Sequence, residues 1–128
     1  MNMQTHELQD YLYKIADKSL AGEIEWNQSN PSTFQWIQQS HGEIFHVTIQ
    51  KAGKPFASLS RTIRESMSAQ EGTTFLFQVV DKNSKQTVIS LSSKERPEFY
   101  EPLFRIYHSA EKGMDFRAAS VLQRLLIN

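Results

Sequence analysis

The residues of this chain that could do acid–base or metal chemistry are four histidines, His6, His41, His46 and His108, and fourteen carboxylates. The histidines form no HxxxH, HExxH or HxH spacing, the arrangements that bring two imidazoles to one face of a helix or strand around a shared metal ion. His46 is the most interesting of them. It lies mid-strand, opposite the Phe45 and Val47 face, and reads as an exposed strand residue or as a ligand or base whose partners come from elsewhere in the fold. Glu23 and Glu25 would share a strand face, and Glu98 and Glu101 a helix face. Paired acids divide acid and base roles only when their environments differ. Nothing apolar beside either pair would raise one pKa, so both read as solvated surface. The serines sit in no GxSxG or SxxK pattern, and the five glycines are isolated, so neither GxGxxG nor GxxxxGK[ST] occurs. The chain has no cysteine, which removes disulfides, zinc ribbons, iron–sulfur sites and thiol catalysis. No catalytic residue, metal site or cofactor is expected.

Two further groups of residues could make contacts rather than do chemistry. Lys51, Lys54, Arg61 and Arg64 form the one local excess of positive charge, with no acid between Glu43 and Glu65 and with Phe56 interleaved. Such a segment could touch phosphates or nucleic acid. The chain as a whole argues against it: fourteen basic and fourteen acidic residues leave a net charge of zero, and the strand aromatics of RNA-reading domains are not matched. The favoured reading is a solvated segment paired with acids elsewhere. Trp26, Phe34 and Trp36 lie close together at the start of the strand region. Core packing is their default role, but if strand 33–39 lay at a sheet edge, an exposed ring there would suit an interface anchor.

The elements that must position these groups follow from periodicity. Leu8, Tyr11, Leu12, Ile15 and Leu20 fall mostly three and four apart and predict an amphipathic helix over 5–21, with Thr5 as N-cap and Gly22 as stop. Glu23–Trp26 reads as a short strand or turn and Asn27–Ser32 as a loop. Residues 33–50 alternate on both sides of Ser40-His41-Gly42 and predict a hairpin. After the breaker Lys51–Pro55, a strand or link over 56–60 and a short helix over 61–70 are expected. Residues 73–92 predict a second hairpin around Asp81–Lys85, with Phe75, Phe77 and Val79 on one face and Leu76, Gln78 and Val80 on the other. Pro102 fits the first turn of a helix beginning near Phe99–Glu101. That helix carries Leu103, Ile106, Tyr107 and Ala110 and is expected to end at Gly113. Asp115 is expected to cap a further helix that turns Ala119, Leu122, Leu125 and Leu126 inward.

Together these give an α+β class: an antiparallel sheet of about five strands, an N-terminal helix and two C-terminal helices. At 128 residues, 39% hydrophobic and 22% charged, residues 1–128 suit a single domain with its own core. The polar start MNMQTHELQD lacks a signal-peptide pattern, and no apolar run reaches the ~18 residues of a membrane span. The expectation is a soluble, cytoplasmic protein with no membrane association. Neutral net charge also favours self-association over repulsion.

The segments GEIEW, FLFQVVDKNSKQTVISL and LFRIYHSAEKGMDFRAASVLQRLL resemble those of small bacterial single-domain proteins of unknown function. The likeness lies in packing positions and transfers no active site. The order of elements is also similar to that of secretion-chaperone-like domains, which dimerise and bind partner segments. The chain departs from them by its neutral pI and by the extra C-terminal helix expected here. The functional expectation is a non-enzymatic interaction module that binds itself or a protein partner through a sheet face or edge, with Trp26, Phe34, Trp36 and His46 as candidates. The alternative is a small-molecule or enzymatic pocket between sheet and helices, lined by His46, Trp36 and Arg61 or Arg64. Nucleic-acid contact through 51–64 is the weaker alternative.

Overall fold

The computed structural model describes residues 3–53 and 73–127. The strand or link expected over 56–60 and the short helix expected over 61–70, and with them Lys54, Arg61 and Arg64, lie outside the described residues. In chain order the elements are α1 (Thr5–Leu20), β1 (Asn27–Asn30), β2 (Thr33–Ser40), β3 (Glu43–Gly53), β4 (Thr73–Asp81), β5 (Gln86–Ser92), a 3₁₀ turn at Pro97–Phe99, and α2 (Tyr100–Ile127). The five strands form one antiparallel sheet in the order β1-β2-β3-β4-β5.

Local chemistry sets the turns. His41 and Gly42 both have positive φ, 51° and 81°, as a two-residue type I′ hairpin turn requires. The Asp81 side chain accepts hydrogen bonds from the backbone N–H groups of Asn83 and Ser84 and so nucleates the second hairpin. Gly22, at φ 79°, ends α1: its N–H donates to the Ser19 carbonyl and that of Glu23 to the Lys18 carbonyl, the paired bonds of a Schellman cap. Thr5 is not the N-cap. Gln4 holds that position without a side-chain bond, and the Thr5 hydroxyl instead accepts from the Arg96 guanidinium at 2.8 Å.

Three other expectations are corrected. Asn27–Asn30, polar enough to read as a loop, is the edge strand β1, its four residues exposed and paired with β2. Of the short strand or turn expected over Glu23–Trp26, the strand does not form and the chain bends at Ile24. The C-terminal part is one helix rather than two, since Gly113 and Asp115 lie inside α2. Pro102 is the third residue of α2, where its missing N–H would have had no intrahelical partner.

The sheet register sorts side chains by face. Phe34, Ile49, Phe77 and Leu91 make one cross-strand row, and Trp36, Val47, Val79 and Ile89 the next, on the inner face. The first half of α2 sits on this face. Phe75 packs against Tyr100 and Tyr107 at centroid distances of 5.5 and 5.6 Å, and Phe34 meets Tyr107 at 5.1 Å. Leu103, Ile106 and Ala110 of α2 are fully buried, and Leu8, Leu12 and Ala16 of α1 join the same core.

The two helices run side by side in the same direction. Gln9 of α1 donates to the Glu98 carbonyl, the Arg105 guanidinium lies over the Tyr13 ring, and a methyl group at Gly113 would sit 3.6 Å from the Ser19 carbonyl oxygen. Their lengths differ. The 16 residues of α1 and 28 of α2 correspond to roughly 24 and 42 Å at ~1.5 Å per residue. Beyond Gly113, therefore, α1 no longer accompanies α2.

Candidate interaction surface

The aromatic candidates near the start of the sheet are largely packing residues. Trp26 is buried and its indole N–H donates to the Ser19 hydroxyl at 2.8 Å. That hydroxyl in turn donates to the Ile15 carbonyl, so the loop after α1 is fastened to the last turn of the helix. Phe34 is buried too, and Trp36 meets Trp26 edge to face at 5.5 Å. β2 is flanked on both sides, by β1 and β3, so it is not an edge strand.

His46 lies on the other face of the sheet. Its Nε2 is 2.8 Å from the Gln35 side-chain oxygen, and it sits in register between Ile37 and Val80. The amide fixes the orientation of the ring. Because strand side chains alternate, His46 and Trp36 point to opposite faces and do not line a common pocket. Neither described helix packs on the outer face, where Ile37 is exposed and Ile44, Leu76 and Val80 are half-buried.

Lys51, the one described member of the basic segment, places its ammonium 5.7 Å from the Tyr107 ring centroid. Nearby, Phe104 and His108 stack at 5.7 Å. A small cleft of about 170 Å³ lies among Lys51, Phe75, Tyr100, Tyr107, His108 and Glu111. Burial, and secondarily the Glu111 carboxylate, pushes the Tyr107 phenol above its ordinary pKa; burial and Glu101 do the same to Tyr100. Both phenols stay protonated at neutral pH and offer no base. Among the described residues no group of His, Asp and Glu could hold a metal ion, and no helix is long and apolar enough to cross a membrane.

The largest departure from expectation is the distal half of α2. Leu122, Leu125 and Leu126, expected to face inward, are 59%, 67% and 86% exposed, with Phe116 at 79% and Ile127 at 82%. All buried residues of α2 lie between Pro102 and Ala110. At the root of the overhang, where α1 ends, two clefts flank the helix. One of about 430 Å³ is lined by Ile24, Glu25, Trp26, Met114 and Arg117, and one of about 580 Å³ by Leu20, Lys112 and Asp115; Phe116 borders both. The leucine spacing was visible in the sequence. What hid its role was the apparent break at Gly113, which made the leucines look like a short helix folded back onto the sheet.

A search of protein-family models finds no match to the chain, and neither curated proteins nor solved structures give a significant one. The similarity to secretion-chaperone-like domains therefore rests on element order alone. The extra C-terminal helix that set the chain apart from them is not present as a separate element.

Proposed function

We propose that this protein is a non-enzymatic interaction module, one domain over residues 1–128, that binds another polypeptide through the distal half of α2. The observation that carries the reading is the overhang itself: four large apolar side chains on one side of the helix, Val121, Leu122, Leu125 and Leu126, are exposed on a helix already anchored at its other end. Contiguous apolar surface beyond a few hundred Å² is uncommon on a free monomer and marks a contact site. Each such side chain left in water forgoes roughly 1.5–3 kcal/mol that burial would supply. The proximal half supplies the rigidity, since Leu103, Ile106 and Ala110 fix the helix to the sheet before the overhang begins. The pocket alternative draws no comparable support, because His46 and Trp36 face opposite ways.

The test is a photo-crosslinking amino acid placed at Leu125, or at Ser120 as a control, in the full chain expressed in the cells that naturally make it. A discrete protein adduct from position 125, absent from position 120, is the expected result. If position 125 yields no protein adduct, the module reading is wrong.

A further inference from the structure

We draw no further inference here: the strongest candidate, the exposed apolar face of α2 beyond Gly113 with the two clefts at its root, belongs to the site already described, and nothing in the structure shows what covers it.

Discussion

The two halves of α2 have similar numbers of apolar residues and opposite fates. Between Tyr100 and Ala110 the apolar residues meet the sheet and α1, and six residues there are buried. From Asp115 to Ile127 every residue is exposed. The difference does not come from the helix, which is continuous, but from what lies beside it. The companion helix α1 stops at Leu20, level with Gly113, and among the described residues the core lies alongside the proximal half of α2. Among the described elements, burial along α2 therefore follows the length of α1.

The largest effect belongs to the proximal half. Leu103 is fully buried, and Leu103→Ala should lower the free energy of unfolding by about 3 kcal/mol, measured by equilibrium denaturation. A loss below about 1 kcal/mol would mean that this half is not the anchor.

Next comes the point where the companion ends. Ser19 is buried, and its hydroxyl accepts the indole N–H of Trp26. Ser19→Ala leaves that N–H without its acceptor, at a cost of about 1–2 kcal/mol. The Trp26 fluorescence spectrum should shift in the folded state. An unchanged stability would detach Trp26 from the job of closing the core at the end of α1.

Gly113 gives a smaller effect of opposite sign. Its φ is not positive, and an added methyl would rest in ordinary contact, 3.6 Å from the Ser19 carbonyl. Gly113→Ala should therefore stabilise the protein by about 0.5–1 kcal/mol through helix propensity. Destabilisation would show that the helix bends or breaks there after all.

These same residues explain how much was legible in advance. The hairpins could be read because alternation and turn chemistry act locally: Phe34 and Trp36, or Phe75 and Phe77, share a face whatever else the chain does, and Ser40-His41-Gly42 suits a tight turn. α1 could be read for the same reason, down to its Gly22 stop. The end of the first C-terminal helix could not, because Gly113 followed by Asp115 looks like a stop and a new cap, and a helix interior tolerates both when a neighbour packs at the glycine and solvent meets the acid. β1 was hidden because Asn27–Asn30 has no apolar residue, and its strand form comes from pairing with β2. The candidate surface was missed for a non-local reason. The inward or outward direction of Leu122, Leu125 and Leu126 depends on where α1 ends relative to α2, a distance in space that no spacing in the sequence encodes. His46 and Trp36, placed together in the sequence-based pocket alternative, are separated by the register of β2 against β3, which pairs Trp36 with Val47.

The smallest effect on folding belongs to the distal half, and it is the sharpest test of the comparison. Leu125 and Leu126 touch no part of the core, so the double substitution to Ala should change the unfolding free energy of the dilute chain by less than about 0.5 kcal/mol. Alanine is also the best helix former, so the overhang keeps its shape. The two halves then separate by the size of the loss: Leu103→Ala should cost about 3 kcal/mol and L125A/L126A less than about 0.5 kcal/mol by the same equilibrium denaturation. A loss above about 1 kcal/mol in L125A/L126A would mean that the distal face packs on the chain's own body, and the contrast between the halves of α2 would fall.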